Sequence, residues 1–216
     1  MKKLRIILII YMIFAKSVNF HAQETNNNVK NVEYSVSTHL GYSYMFDGIA
    51  GLSSFSDKYN DKLRSGLAWD LQFEFRASRF TSGILLSVYA SNGKTDYTSD
   101  KISISSIIPQ LGIYLLSPEQ SRISIKMLGG IGYTMYRNNS RVFGNNRKVF
   151  KNDVCGNLGL GCIYRLSSHV GLSADARFIM SESSVFNITY HEKSFEVEQR
   201  LPFSQFSISV GINYIF

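Results

Sequence analysis

Large apolar side chains alternate with small or polar ones, at a period of two, through most of this chain. From Phe206 to Phe216, the residues Phe206, Ile208, Val210, Ile212, Tyr214 and Phe216 share one parity. Ser207, Ser209, Gly211, Asn213 and Ile215 share the other. Such a period places the two sets on opposite faces of a strand. The same rhythm predicts strands at about 34–46, 67–76, 80–91, 102–116, 122–136, 153–166, 169–180 and 206–216. The second is the plainest: Leu67, Trp69, Leu71, Phe73 and Phe75 alternate with Ala68, Asp70, Gln72, Glu74 and Arg76. The fourth changes parity midway, with Ile102 and Ile104 on one face and Ile107, Leu111, Ile113 and Leu115 on the other. A bulge near Pro109 is expected there, because proline donates nothing to the ladder.

The connections alternate in length. Residues 47–62, 92–100, 137–151 and 181–202 read as long polar loops, with Asn92-Gly93 as a turn dipeptide. Residues 77–79, 117–120 and 167–168 read as short turns. This layout predicts an all-β fold, an eight-stranded antiparallel up-and-down transmembrane β-barrel over 34–216. Both ends of the barrel then lie at the short-turn, periplasmic side. Hydrocarbon covers the apolar parity, and the polar parity faces the lumen. A soluble sandwich or lipocalin-type barrel would leave five large groups of the second strand in water, at about 25 cal/mol per Å².

Composition agrees: 15 Phe and 13 Tyr against 3 Pro favour strands. Residues 1–22 read as a signal peptide, with a basic start, the apolar run Ile6 to Ala15 and cleavage after Ala22. The run is shorter than the ~20 residues that a spanning helix needs. No cysteine stands at the cleavage region, so no lipoprotein anchor is expected. Residues 23–33 read as a periplasmic lead-in. Four of the basic residues, Lys2, Lys3, Arg5 and Lys16, belong to the leader, so the net charge of +7 overstates the mature chain and points to no nucleic acid. Cys155 and Cys162 lie ~23 Å apart on one predicted strand and on opposite faces, too far for a disulfide. They read as strand fillers, and neither a metal-ligand cluster nor a cofactor motif is present.

The terminal stretch Ser207 to Phe216 and the Gly129-Gly130-Ile131-Gly132-Tyr133 stretch resemble the small eight-stranded outer-membrane β-barrel family, with its OmpA- and OmpX-like and PorT-like members. The resemblance covers about Tyr34 to Phe216. It implies an integral barrel of the Gram-negative outer membrane, with lipid and lipopolysaccharide around it. It also implies that the barrel-assembly machinery recognises the closing strand through Tyr214 and Phe216. Unlike the OmpA pattern, no peptidoglycan-binding domain is expected after the barrel.

Charged residues on the inner parity form the first candidate site: Asp70, Glu74, Arg76, Lys126, Arg165, Asp175 and Arg177. An eight-stranded barrel is narrow enough for side chains to fill. A paired network that plugs the lumen is therefore the expectation, with a gated ion path as the alternative. The second candidate is the acid-free segment carrying Arg137, Arg141, Arg147, Lys148 and Lys151, which could touch the phosphates of lipopolysaccharide. Catalysis by a small barrel would need a positioned base beside a hydroxyl or water. His39 falls on the inner face, His169 at a short turn and His191 in the last loop, none within a catalytic motif. The chain therefore reads as a non-enzyme. The leading function is a structural or adhesive surface role through long extracellular loops. A PorT-like secretion component and a narrow pore are the alternatives.

Overall fold

The computed structural model describes residues 32–46, 57–119, 121–190, 193–202 and 204–216. The leader, the lead-in up to residue 31, residues 47–56 and His191 lie outside them. The strands are β1 (Val32–Met45), β2 (Ser65–Ala77), β3 (Phe80–Lys94), β4 (Thr98–Leu116), β5 (Ile123–Val142), β6 (Asn145–Arg165), β7 (Val170–Tyr190), β8 (Lys193–Pro202) and β9 (Gln205–Ile215). Among the described residues one helix, α1 (Asp57–Arg64), precedes β2.

Consecutive strands pair antiparallel from β1 to β7, and β9 closes the ring between β7 and β1. Strand β7 pairs with β9 along Val170–Ile179 and with β8 along Glu182–Tyr190. Strands β8 and β9 thus share the eighth stave of an eight-stave barrel. The seam runs from Ser35 opposite Ile215 to Met45 opposite Gln205.

The two parities separate as the alternation requires. Trp69 and Phe73 are 44 % and 45 % exposed, whereas Asp70 and Glu74 are 1 % and 6 % exposed. Phe206, Ile208, Val210, Ile212, Tyr214 and Phe216 also face outward. A continuous apolar girdle of this kind is stable when hydrocarbon covers it.

The structure departs from the sequence reading chiefly at the long-connection end. Residues 137–151 are a β-hairpin rather than a loop: β5 runs to Val142, β6 starts at Asn145, and Phe143 and Gly144 turn with positive φ. Most of residues 181–202 are likewise strand, in β7 and β8. Asn92-Gly93 is not a turn but lies within β3, and residues 95–97 make the connection. Strands β4 to β7, at 19 to 21 residues, far exceed the ~9–11 needed to cross a bilayer, so this side of the wall rises well past the girdle. At the other end, β1 starts at Val32 and takes in Glu33.

No bulge occurs at Pro109, which pairs in register with Ile84. The shift lies between Tyr114 and Leu116. The apparent parity change has another cause: Ile102, Ile104 and Ile108 all point inward and are buried. They belong to apolar layers inside the barrel. Leu85, Ile108, Cys155 and Ile179 form one such layer. A second, with Met45, Tyr89, Ile102, Ile104, Tyr136, Val149, Phe186 and Ile188, lies toward the long-hairpin end and receives Tyr59 and Leu63 from α1. The Leu63 carbonyl accepts hydrogen bonds from the Tyr89 and Ser91 hydroxyls, both at 2.8 Å. Gly93 allows the approach, since a Cβ there would lie 2.8 Å from Leu63 Cδ2. Cys155 is buried inside and Cys162 is exposed outside, on opposite faces of β6.

Candidate functional site

The inner-parity charges separate into tiers. In the lower middle of the lumen, β2 supplies Asp70, Gln72 and Glu74, β5 supplies Lys126, and β7 supplies Asp175 and Arg177. Lys126 pairs with Glu74. Arg177 reaches Asp175 at 2.9 Å, Asp70 at 3.3 Å and the Gln72 side-chain oxygen at 3.0 Å. One guanidinium thus ties β7 to β2 across the barrel. Arginine suits this position because its planar fork presents several donors at once. Removing either member of such a pair would leave an uncompensated buried charge.

Arg76 and Arg165 belong to a separate cluster at the short-turn rim. Both pair with Glu33, at 2.9 Å and 2.8 Å, and Arg76 also reaches Glu119 at 3.5 Å. The seven inner charges foreseen from sequence therefore form three groups rather than one network. Glu33 was missed because it precedes the stretch read as strand. Gln72 was on the correct parity, but an uncharged amide did not stand out.

A fourth polar cluster, near the long-hairpin end, was also missed. Asp100 is buried and accepts from the Tyr59 hydroxyl at 2.5 Å and the Asn138 amide at 3.1 Å, with Arg147 at 3.4 Å. Burial, followed by the hydrogen bond to Asp100, pushes the Tyr59 phenol above its usual range. In the sequence Asp100 ends the polar segment 92–100, which reads as a loop. Extending β4 by two residues with unchanged parity would have placed it inside.

The basic segment is divided by the same parity rule. Arg137, Arg141 and Lys148 face outward, and Arg137 lies over the Phe150 ring at 5.6 Å. Arg147 turns inward to Asp100 and the Ser140 hydroxyl, with its side chain 19 % exposed. Lys151 is opposite the buried Tyr136 and only half-exposed. These two are corrected from surface cations to residues of the inner parity. Outward-facing Lys101, opposite Asn139, joins the three that remain; Asn139 is in turn opposite Lys148. The four cations stand on three adjacent strands, above the level of Ile107, Tyr133 and Val154 in the apolar girdle.

Among the described residues, His39 and His169 are not set in a Ser–His–Asp relay. His39 Nε2 lies 2.8 Å from the Ser173 hydroxyl and 3.5 Å from Asp175. A Ser–His–Asp relay needs the hydroxyl and the carboxylate on different ring nitrogens. Here both approach Nε2, and all three residues are buried in the lumen. His169 is exposed and 2.8 Å from its neighbour Ser168. Among the described residues no group of three or more His, Cys, Asp or Glu is placed to hold a metal. Tyr214 and Phe216 face outward with their rings edge to face at 5.0 Å, beside the seam where the Phe216 amide donates to the Tyr34 carbonyl.

No family model and no curated protein sequence matches this chain. Solved structures do. A major outer membrane protein from Thermus thermophilus superposes with a TM-score of 0.62 at 12 % identity, covering 87 % of this chain and 100 % of that one. Neisserial surface protein A superposes with a TM-score of 0.57 at 12 % identity, covering 85 % and 97 %. Ail, the attachment invasion locus protein of Yersinia pestis, gives 0.51 at 11 % identity, covering 87 % and 100 %. At these identities the likeness is one of fold. It agrees with the closed ring, the apolar girdle and the polar inner parity: by fold, the chain is a small eight-stranded outer-membrane β-barrel.

Proposed function

We propose that this protein is a surface-contact barrel of the outer membrane, with a closed lumen and a working surface on the raised wall of β4 to β8. The observation that carries this reading is the outward set Lys101, Arg137, Arg141 and Lys148, above the girdle on three neighbouring strands. Clustered cations at the polar edge of a bilayer attract anionic headgroups. Lipopolysaccharide phosphate is the contact proposed for them. A role in attachment at the surface is the broader reading, in keeping with the solved fold neighbour named for attachment and invasion.

Closure is proposed from the stacking of polar and apolar tiers inside the ring, with α1 over the long-hairpin end. The same packing supports a non-catalytic role, since it buries His39 with Ser173 and Asp175. Steady, selective conductance of the purified protein in planar bilayers would overturn closure and favour the narrow pore. Co-purification with a secretion complex would favour a PorT-like component instead. The surface reading is tested by lipopolysaccharide pull-down. Replacing Lys101, Arg137, Arg141 and Lys148 with Gln should abolish retention, whereas replacing the inward Arg147 and Lys151 should leave most of it. Equal retention by both variants would refute the assignment.

A further inference from the structure

The crown of the raised wall carries two aromatic rings that the fold does not ask for. Between β5 and β6, Phe143 and Gly144 make a two-residue hairpin connection with φ of 47° and 83°. Positive φ at both central positions is what a type I′ turn requires, and Asn or Gly is the residue favoured at the first of them. A phenylalanine there is strained, because its Cβ crowds the left-handed backbone. No inward packing offsets that strain: the Phe143 side chain leaves the residue 69 % exposed, beside Tyr97 of the β3–β4 connection at 66 %. The two rings lie 6.0 Å apart, and the Phe143 amide donates to the Tyr97 carbonyl at 2.9 Å. That bond ties the two hairpin tips together and holds the rings as a pair, far above the girdle.

Cations and amides surround the pair. On the outer face Lys94, Ser99, Arg141 and Asn146 stand opposite one another in one cross-strand row, and Asn92, Lys101, Asn139 and Lys148 in the next. Among the described residues none of these four cations is ion-paired. Asp96 is exposed in the 95–97 connection, so one carboxylate acceptor lies beside an excess of positive charge. Height separates the two arginines of β5. Arg137 and Arg141 are four residues apart on that strand. The interval is ~13 Å along the strand, or ~10 Å in height at the tilt usual for a barrel. Arg137 lies over the ring of Phe150, its partner across the ladder, and stays at that level. Arg141 donates from Nε to the Gly144 carbonyl at 3.2 Å, toward the hairpin tip and away from the girdle. Headgroup phosphates of one leaflet lie near a single level, and the two arginines do not share it.

We propose that this crown binds the acidic core saccharide of lipopolysaccharide, above the lipid A phosphates met by Arg137. Tyr97 and Phe143 offer flat apolar faces against which a pyranose ring packs. Arg141 and Lys94 receive the carboxylate or phosphate groups of the core, and charge-assisted bonds of this kind are the stronger class. Asp96 and Asn146 accept from sugar hydroxyls, a need that a bare polyanion does not have. The choice of lipopolysaccharide follows from continuity. The inference rests on the reading of the wall as a lipopolysaccharide contact, and the crown prolongs the same face outward, in the direction in which the sugars extend from the phosphates.

The test compares retention of lipid A with retention of lipopolysaccharide carrying a complete core, on the full mature chain folded in detergent. The wild type should prefer the core-bearing form by about tenfold, the worth of one charged hydrogen bond. Phe143→Asn restores the residue that the turn favours, so it should keep the heat-modifiable mobility of a folded barrel while the preference falls toward one. Tyr97→Leu, and Lys94→Gln with Arg141→Gln, should lower the preference in the same way. Arg137→Gln should weaken both ligands together and leave their ratio unchanged. Equal retention of the two ligands by the wild type overturns the proposal but spares the lipid A contact. Retention of neither removes the surface reading itself, and this inference with it. An undiminished preference in folded Phe143→Asn and Tyr97→Leu also overturns the proposal, as does displacement of core-bearing lipopolysaccharide by dextran sulfate more readily than by the free core oligosaccharide.

Discussion

The lower and upper halves of the lumen solve one packing problem in two ways. Below, the inner parity carries Asp70, Gln72, Glu74, Lys126, Asp175 and Arg177, and holds them through ion pairs and a hydrogen bond, with Arg177 shared by two carboxylates. Above, the same parity carries Tyr89, Ile102, Ile104, Tyr136, Val149 and Phe186, and closes over them with Tyr59 and Leu63 of α1. The lower half is held by directional contacts that fix which stave faces which. The upper half is held mainly by shape and by exclusion of water, with the Asp100 cluster as its polar set, and it depends on a segment outside the wall. The two halves should fail differently when cut.

The largest effect is expected below. Arg177→Met removes the cation shared by Asp70 and Asp175, and breaking a buried pair from one side costs about 3–5 kcal/mol. Urea unfolding in vesicles should show a matching loss, and Lys126→Met should approach it by stranding Glu74. The double variant Lys126→Met with Glu74→Leu should recover much of the loss, since replacing both partners by apolar groups removes the stranded charge. If the single and double variants lose stability equally, the pairing account fails.

A smaller effect is expected above. Leu63→Ala leaves a cavity in the apolar tier, worth about 2–4 kcal/mol where the site cannot collapse. Because α1 can detach without opening the wall, the loss should appear as proteolysis of the segment before β2 while the heat-modifiable barrel persists. Wild-type protease resistance in that segment would show that the helix is not held through Leu63.

The smallest is Tyr59→Phe, which deletes one hydrogen bond to a charged group, about 1.5–3 kcal/mol at most. The raised folded phenol pKa also fixes a sign. The contribution of Tyr59 is complete below the unfolded value, about pH 10, and drains away as pH climbs through the folded one. The absorbance titration of wild type minus Tyr59→Phe should therefore show no phenolate appearing around pH 10 while the fold is intact. An ordinary phenolate transition in that difference would place Tyr59 in water.

The contrast between halves also explains what the sequence disclosed. The girdle was legible because lipid outside and polar groups inside impose opposite demands on alternate residues, as at Trp69 and Asp70. Above the girdle the outer face meets water, so Arg137, Asn139 and Arg141 occupy positions that carry Ile131 and Tyr133 lower down. The alternation fades there although the backbone continues as strand, which is why 137–151 and 181–202 read as loops. The inward Ile102 and Ile104 misled for the complementary reason: an apolar residue inside a barrel mimics one outside it. Within the charged set, parity placed Asp70, Glu74, Lys126, Asp175 and Arg177 in the lumen. Who pairs with whom depends on strand height and stagger, which a period of two does not encode.

One consequence of the seam concerns biogenesis. The bonds from Ser35–Ile215 to Met45–Gln205 join segments that lie far apart in the chain, so β1 is made long before β9. Until β9 is delivered, β1 and the Val170–Ile179 stretch of β7 each present a bare row of amides and carbonyls with nowhere to donate or accept. A premature stop ahead of Gln205 would thus yield not a smaller cylinder but an unclosed sheet, a natural substrate for quality-control proteases.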